Sequence, residues 1–495
     1  MGTSRRQFLQ WLSVISAGVA LPATARAAEQ VTVIKHATVV DGTDGPPQCD
    51  VSVVLVGDRI VYVGVHAVVP DGAKVVDARG KFVIPGLWDM HTHYAYSEDI
   101  FIPLHIANGV TGIREMWGYP EVFAVHRKIE SGQLLGPRME IAGSLTDGPN
   151  SVWAPMATVV SNEAEARAAA QQAKIDGGHF IKAYSYLAAD TLTALIDEGR
   201  KIGLPTAGHL PWRLPAGPTS DAGMRCFEHL YGMPISTSYR QDDILRKLTE
   251  TQIDPANPRA FYNTARELDR QATLTHDRAK AARLYEKFAR NGTWQSPTLT
   301  VLRVMSSPAD TFTGDPRLKY IPADLKAYWA DVIKVWAPKT PEQIAQQRDF
   351  LEFRQHMVAT MDRAGVGIIG GTDCGNPYTL PGFGAHDELS LLVDSGLTPK
   401  RALQTMTRDV ARFLGKEHAM GTVTAGKVAD LVVLDADPLR DIRNSTKVHA
   451  VVARGRLITK EQRQKILADV EAAANKPAPK LATPACGCHS GVASR

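Results

Sequence analysis

Two histidines separated by a single residue close a short apolar stretch near residue 90. The stretch reads Val83-Ile84-Pro85-Gly86-Leu87-Trp88-Asp89-Met90-His91-Thr92-His93. Side chains two positions apart on a strand point to the same face, so His91 and His93 can reach one point from one strand end. Imidazoles are typical ligands of zinc-type cations, but a complete site needs further ligands from elsewhere in the chain.

Four later segments supply residues of the right type. Each is a short run that ends in or contains a lysine, a histidine or an aspartate: Ile181-Lys182-Ala183-Tyr184, Ala207-Gly208-His209, Phe227-Glu228-His229 and Gly370-Gly371-Thr372-Asp373. Taken singly, a histidine is more often a core or surface residue, a lysine is usually solvated, and an aspartate after glycines is usually a turn former. Lys182 nevertheless lies in an apolar run, where an unpaired ammonium is costly to bury. The joint occurrence of these residues therefore favours a metal centre.

The elements that must position these residues alternate between strands and helices. Eight strand candidates cover residues 82–93, 111–116, 139–143, 179–184, 205–209, 224–229, 293–299 and 366–373. Helical stretches between several of them predict an α/β fold with a (β/α)8 barrel, in which all strands end on the face that carries the chemistry. Asn162 with Glu165 predicts the start of one helix, and Gly203 predicts the end of the next.

The two ends of the chain are predicted to form one additional unit. Short β-branched segments with glycine turns lie between residues 31 and 77, and two more lie at 426–435 and 449–458. They predict a small β-sandwich at 28–84 and 425–462, with a barrel at 85–424 inserted into it. Residues 235–290 and 304–348 exceed what barrel connections need and are expected to be lid-like insertions. Residues 463–495 are expected to be a helix and a disordered tail.

The N-terminal segment resembles an export signal. Ser4-Arg5-Arg6-Gln7-Phe8-Leu9 precedes an apolar run that is too short to span a bilayer, and Ala25-Arg26-Ala27 provides a small-x-small cleavage site. Paired arginines followed by Phe-Leu are typical of twin-arginine signals. We expect residues 1–27 to direct the folded protein, through the twin-arginine export machinery, to the periplasm or the exterior.

The bulk composition excludes several classes of partner. Of the 495 residues, 44% are hydrophobic and 22% are charged, as in soluble globular proteins. The formal net charge is +4, and the three arginines of the N-terminal segment account for all but one unit of it. Nothing therefore favours nucleic acid or a membrane as a partner. The five cysteines are too sparse for a disulfide framework. Cys486, Cys488 and His489 could chelate a metal, but disorder is the preferred interpretation of that tail.

The set of motifs resembles the amidohydrolase superfamily in its two-metal form. His91-Thr92-His93 follows Pro-Gly on the first barrel strand, and the lysine, the two single histidines and the aspartate occur in the expected strand order. The narrower match is to the imidazolonepropionase-like and prolidase-like branch. That match rests on three segments: Gly382-Phe383-Gly384-Ala385-His386-Asp387-Glu388-Leu389, Gly396-Leu397-Thr398-Pro399 and Gly426-Lys427-Val428-Ala429-Asp430-Leu431.

The resemblance implies a complete ligand set for two divalent metal ions. His91, His93 and Asp373 would hold one ion, His209 and His229 would hold the other, and Lys182 would bridge both after carboxylation of its amine. Zinc is the first expectation, although manganese and cobalt accept the same ligands. Asp373 would move the proton during hydrolysis.

The implied activity is hydrolysis of an amide bond in a small peptide or N-acyl amino acid. One alternative is hydrolysis of a cyclic amide or a lactone on the same metals, and another is a metal-dependent binding protein or pseudoenzyme. Candidate substrate contacts are Tyr231, which could donate to the substrate carbonyl, Tyr184, His386 and Arg114. Each has a structural alternative: packing for the tyrosines, a helix cap for His386, and an ion pair with an acid for Arg114. A homo-oligomer is left open.

Overall fold

The computed structural model describes residues 30–95 and 97–476. The predicted signal segment at 1–27 and the tail residues Cys486, Cys488 and His489 lie outside the described residues. No helix in the described ranges is both long and apolar enough to cross a membrane.

The described residues form two sheets and a set of helices. The strands, in chain order, are β1 (Val31–Val39), β2 (Gln48–Val56), β3 (Arg59–Gly64), β4 (Lys74–Asp77), β5 (Phe82–Pro85), β6 (Leu87–Thr92), β7 (Val110–Glu115), β8 (Arg138–Asp147), β9 (Thr158–Val159), β10 (Phe180–Ala183), β11 (Thr206–Gly208), β12 (Cys226–Glu228), β13 (Trp294–Ser296), β14 (Leu431–Leu434), β15 (Val448–Ala453) and β16 (Arg456–Ile458).

The α-helices are α1 (Phe101–Ala107), α2 (Pro120–Glu130), α3 (Glu163–Ile175), α4 (Ala189–Ile202), α5 (Ala216–Asp221), α6 (Met233–Thr237), α7 (Gln241–Glu250), α8 (Pro258–Gln271), α9 (Arg278–Asn291), α10 (Leu299–Met305), α11 (Ala323–Trp336), α12 (Pro341–Arg363), α13 (Phe383–Asp394), α14 (Pro399–Thr405), α15 (Arg408–Leu414) and α16 (Lys460–Ala474). Short 3-10 helices cover Ala272–Thr275, Pro316–Tyr320 and Ile442–Thr446.

The two ends of the chain share one sheet. Its strand order is β16-β15-β14-β5-β1-β2-β3, with β4 paired to β1. The N-terminal and C-terminal parts meet where β5 and β14 pair antiparallel. A bridge between Arg59 and Val428 brings the β3 edge back against the segment that leads into β14. Buried aliphatic side chains from both ends, among them Ile34 and Val433, form a common core. The expected sandwich is therefore one continuous sheet that folds back on itself.

The second sheet is the barrel, and its strands are parallel in the order β13-β12-β11-β10-β8-β7-β6. Residues 366–374 take the eighth position between β13 and β6. Ile368 bridges Gln295 on one side, and Cys374 bridges Thr92 on the other. The backbone N–H of Asp373 donates to the carbonyl of His91 at 2.8 Å. These contacts close the ring of strands and confirm the predicted (β/α)8 barrel.

The predicted strand at 366–373 is an irregular segment rather than a regular strand. Gly371 lies so close to β6 that an added Cβ would stand 2.8 Å from the backbone nitrogen of His91 and 2.9 Å from Oγ of Ser296. Only glycine fits this approach, and the close passage brings the following Asp373 beside the first strand. The predicted strand at 82–93 is likewise divided at Gly86, where the chain passes from the terminal sheet into the barrel.

Candidate metal centre

The six predicted ligands lie at the carboxyl ends of the barrel strands. His91 lies in β6 and Lys182 in β10. His93, His209 and His229 come directly after β6, β11 and β12, and Asp373 lies in the segment that closes the barrel. All six side chains are buried, with at most 1% exposed.

Two of these residues have unusual backbones. His229 and Asp373 adopt left-handed conformations, with φ of 62° and 63°. A positive φ is uncommon for residues other than glycine and costs free energy that the surrounding structure must supply. The chain turns sharply at both positions directly after a strand, and both side chains lie among the other candidate ligands.

The tightest part of the cluster consists of His91, His93 and Asp373. Oδ1 of Asp373 lies 3.0 Å from Nε2 of His93 and 3.5 Å from Nε2 of His91. One ligand atom from each of the three residues lies within 4.8 Å of the others. Two imidazoles and a carboxylate at this spacing can hold a divalent cation.

The remaining histidines adjoin this cluster. The ring centroids of His91 and His229 are 4.5 Å apart, and those of His229 and His209 are 4.8 Å apart. Oδ2 of Asp373 lies 3.9 Å from Nδ1 of His229. The four imidazoles and the carboxylate therefore form one contiguous group at the barrel mouth.

Lys182 is the unusual member of the set. It lies on β10, directly beside the strand that ends before His209, and its side chain is fully buried. Its Nζ has no hydrogen-bond partner among the described residues. An ammonium in that position would be costly, since burial removes its hydration without a compensating acceptor.

Neighbouring side chains fix which nitrogen three of the four histidines (His91, His209 and His229) present to a metal ion. Nδ1 of His91 donates to Oε2 of Glu228 at 2.8 Å. Nδ1 of His209 is hydrogen-bonded to Oγ of Ser185 at 2.9 Å, and Nδ1 of His229 to Oγ1 of Thr298 at 2.7 Å. Partners of this kind fix the tautomer and orientation of metal-binding histidines, and here they make Nε2 the ligand atom.

Glu228 and Arg114 form a buried ion pair behind His91. Nη2 of Arg114 donates to both carboxylate oxygens of Glu228, at 2.7 and 2.9 Å, and Nε donates to the carbonyl of Met90. Burial alone would raise the pKa of Glu228, but Arg114 and the hydrogen bond from His91 lower it to about 2. Glu228 therefore stays ionised and holds His91 in place.

The structure pairs Arg114, which was also a predicted substrate contact, with a buried acid. Of the two alternatives, the ion pair with an acid is the one formed, and Glu228 is the acid. Sequence reasoning missed Glu228 as a functional residue. Its one available signal was its position next to His229 at a strand end.

The structure gives His386, another predicted substrate contact, two hydrogen-bond partners within the protein. Helix α13 carries His386 away from the cluster, where Nδ1 is hydrogen-bonded to Oγ of Ser445 and Nε2 to the carbonyl of Asn108, each at 3.0 Å. Burial lowers the pKa of His386 to about 4, so the ring is neutral. Both ring nitrogens serve packing between α13, the end of α1 and the 3-10 helix at Ile442–Thr446.

The two predicted tyrosines do lie beside the ligands. The ring of Tyr184 packs on His209 with a centroid distance of 4.1 Å. The ring of Tyr231 lies 5.4 Å from that of His209 and 5.1 Å from that of His229. Both tyrosines are fully buried. Their contact with substrate stays a prediction.

Comparison with known proteins gives both local and global matches. A model of the amidohydrolase family matches residues 339–459. An imidazolonepropionase from Methylobacterium sp. (strain 4-46) is 34% identical over 113 residues, which are 21% of this chain and 27% of that protein. An adenine deaminase from Clostridium botulinum (strain Loch Maree / Type A3) is 30% identical over 91 residues, 18% of this chain and 14% of that protein. The chain thus matches about a quarter or less of the length of these relatives.

Solved structures match over nearly the whole chain. A bottromycin amidohydrolase superposes with a TM-score of 0.71 at 20% identity, covering 91% of this chain and 92% of that one. An Xaa-Pro dipeptidase superposes with a TM-score of 0.62 at 19% identity, covering 87% and 100%. At these identities the structural matches establish the fold. One segment of the chain thus matches the amidohydrolase family, and nearly the whole chain shares the fold that the motifs implied.

Proposed function

Because this chain has the fold of the amidohydrolase superfamily and a segment matched by the amidohydrolase family, we propose that it is a metal-dependent hydrolase that cleaves an amide bond. The substrate class would be small peptides or N-acyl amino acids. The observation that carries this proposal is the convergence of His91, His93 and Asp373 within 4.8 Å at the buried mouth of the barrel. Two solved structures with this fold are named an amidohydrolase and a dipeptidase, which supports an amide as the scissile group.

The residues present fit the two metal ions that the resemblance implies. His91, His93 and Asp373 would hold one ion, and His209 and His229 would hold the second. The fit rests on the fixed Nδ1 atoms of three histidines and on Nε2 of His91, which has no hydrogen-bond partner among the described residues. When bound, two such ions would activate water as a nucleophile and polarise the scissile carbonyl.

Lys182 would join the two ligand groups as a carbamate. A free ammonium has no acceptor and would repel cations. Once the ammonium has lost a proton, addition of carbon dioxide to the amine, with release of a second proton, converts the end of the side chain into a carboxylate-like anion with two oxygens. This change would remove the cost of the buried Nζ, which has no partner among the described residues, and supply a negative charge next to five other ligands.

Asp373 and Tyr231 would act on the substrate directly. The carboxylate of Asp373 would take the proton of the attacking water and pass it to the nitrogen of the leaving amine. The phenol of Tyr231, beside His209 and His229, would donate a hydrogen bond to the oxygen of the scissile carbonyl as negative charge develops there.

Metal analysis and a substrate screen test this proposal. We expect purified, metal-loaded protein to retain about two divalent ions per chain and to hydrolyse members of a panel of dipeptides and N-acyl amino acids. Less than one tightly bound ion per chain would contradict it. Turnover restricted to cyclic amides or lactones would support that alternative instead. Ligand binding without turnover of any substrate class would support the binding-protein alternative.

A further inference from the structure

A buried arginine on α12 lies one aromatic ring away from the candidate ligands. Arg354 is 3% exposed, and its guanidinium carbon lies 5.6 Å from the ring centroid of Tyr231. Tyr231 in turn packs against His209 and His229. The guanidinium carbon also lies over the ring of Phe350, 3.7 Å from its centroid, one helical turn earlier on α12.

The guanidinium of Arg354 has an acidic neighbour but no hydrogen bond to it. Its ion-pair partner is Asp269, but Nη2 lies 3.7 Å from Oδ2 of that residue, which is beyond hydrogen-bond distance. Among the described residues, Nε of Arg354 and Oδ2 of Asp269 have no hydrogen-bond partner. A guanidinium N–H donor that is left unmatched in a buried place is costly.

The protonation states of Arg354 and Asp269 leave a net positive charge around the guanidinium. Burial raises the pKa of Asp269 to about 7, although Arg354 acts to lower it, so this carboxyl is only partly ionised near neutral pH. Burial lowers the pKa of Arg354 to about 10, which still leaves the guanidinium charged at neutral pH. The partner therefore offsets only part of the positive charge.

A cavity among the insertions reaches Phe350, the aromatic residue on which Arg354 stacks. Its volume is about 190 Å³, and its wall includes Tyr262, Phe350 and two further arginines, Arg259 and Arg266. Tyr262 packs on Trp212, and Trp212 packs on Tyr231. A continuous aromatic wall thus runs from this arginine-bearing cavity to the tyrosine beside the metal ligands.

We propose that Arg354 is a specificity-determining residue that binds the carboxylate of the substrate. A planar guanidinium matches a carboxylate with two parallel hydrogen bonds, which would satisfy the donors that Asp269 does not reach. This inference rests on the proposed amide hydrolysis and narrows its substrates to those with a free carboxylate. In an N-acyl amino acid one carbon separates the carboxylate from the scissile nitrogen. The anchor must therefore lie near the reacting centre, and Arg354 contacts Tyr231, whose ring adjoins those of His209 and His229.

The test compares two substrates that differ only at the carboxylate. N-acetyl-L-amino acids are assayed against their N-methylamides, with the amino acid chosen by best turnover. We expect wild-type protein to prefer the acid. Arg354→Met should lower kcat/KM for the acid by roughly 10- to 100-fold, the range for a lost hydrogen bond to a charged group, and leave the methylamide nearly unchanged. Equal losses on both substrates would overturn the inference.

A matched control variant is available on α10. Arg303 also lies over an aromatic ring, that of Phe312 at 5.4 Å, and pairs with Asp387 at 3.3 Å. Arg303→Met should keep the preference for the acid. Arg354→Lys keeps the charge but loses the planar fork, so its kcat/KM for the acid should fall between those of wild type and Arg354→Met.

Two further measurements distinguish a failure of this inference from a failure of the proposed function and from misfolding of the variant. Calorimetric binding of the N-acetyl-L-amino acid does not need turnover, so a protein that hydrolyses nothing still tests Arg354. Equal affinity of wild type and Arg354→Met would contradict the inference. If Arg354→Met does not fold, the double variant Arg354→Met/Asp269→Asn removes the remaining buried carboxylate. That variant should likewise lose selectivity for the acid.

Discussion

The buried carboxylate of Glu228 is hydrogen-bonded to the ring of His91 and forms an ion pair with Arg114. The carboxylate of Glu228 accepts from Nδ1 of His91 at 2.8 Å and from Nη2 of Arg114 at 2.7 Å. A charged, fully buried acceptor fixes the tautomer of the imidazole and raises its basicity as a ligand. The chain Arg114–Glu228–His91 therefore links the interior of the barrel to the candidate metal centre.

Replacing Glu228 should weaken metal binding. In Glu228→Gln the side-chain amide keeps the shape but loses the negative charge, and we expect the affinity for zinc to fall by about 10- to 100-fold. Competition with a chromophoric chelator measures this affinity. The control is Glu388→Gln, a buried acid of the same type that accepts from the backbone of Leu299 and Thr300. If both variants bind zinc as wild type does, Glu228 has no role in holding the ligand.

Lys182→Ala should abolish hydrolysis, because the variant lacks the anion that joins the two ligand groups. Added short-chain carboxylic acids should restore part of the rate, since they can place a carboxylate in the vacated space. A carbamate carbon signal from protein prepared in labelled bicarbonate should appear in wild type and be missing in the variant. Full turnover by Lys182→Ala would show that the lysine bridges nothing.

Removal of metal should lower the melting temperature. A ligand that binds only the folded state stabilises it by about 2.7 kcal/mol at a free concentration 100 times its Kd. We expect a chelator to lower the melting temperature of the wild-type protein and added zinc to restore it. The double variant His91→Ala/His93→Ala should respond much less to either treatment. An unchanged melting temperature of the wild-type protein after complete metal removal would contradict a tightly held metal.

The sequence predicted those features that depend on local pattern. The side chain of Asn162 accepts from the backbone of Glu165, and Gly203 ends α4 in a left-handed conformation, as the residue types indicated. The convergence of the six candidate ligands was predictable for a similar reason. Parallel strands end on one face, so residues at strand ends converge without any knowledge of packing.

The features that escaped prediction depend on contacts between distant parts of the chain. Arg114 and Glu228 are 114 residues apart, and the local sequence around either residue does not predict that the two form an ion pair. Arg354 lies in the middle of a long helix, where an arginine is usually solvated, and only the packing of α12 against Tyr231 reveals its burial. His386 has the residue type of a functional group, but α13 directs it to Ser445 and Asn108 instead.

The carboxyl of Asp147 should make stability depend on pH. It is fully buried at the end of β8, where Oδ1 accepts from the backbone nitrogens of Gly148 and Tyr186. Burial raises its pKa to about 7 from an ordinary value of 3.8. The folded state therefore binds this proton more tightly than the unfolded state. The resulting stabilisation is complete below about pH 4 and is lost as the pH rises through about 7.

Asp147→Asn isolates this contribution, because the amide keeps the acceptor but does not ionise. The pKa difference corresponds to at most about 4 kcal/mol at high pH. We expect the melting temperature of wild type to fall more steeply between pH 5 and 8 than that of the variant. Asp197→Asn is the control: this half-buried acid pairs with Arg167, Arg200 and Lys201, and its pKa of about 2 keeps it ionised throughout the range. Parallel curves for wild type and Asp147→Asn would show that Asp147 does not titrate in this range.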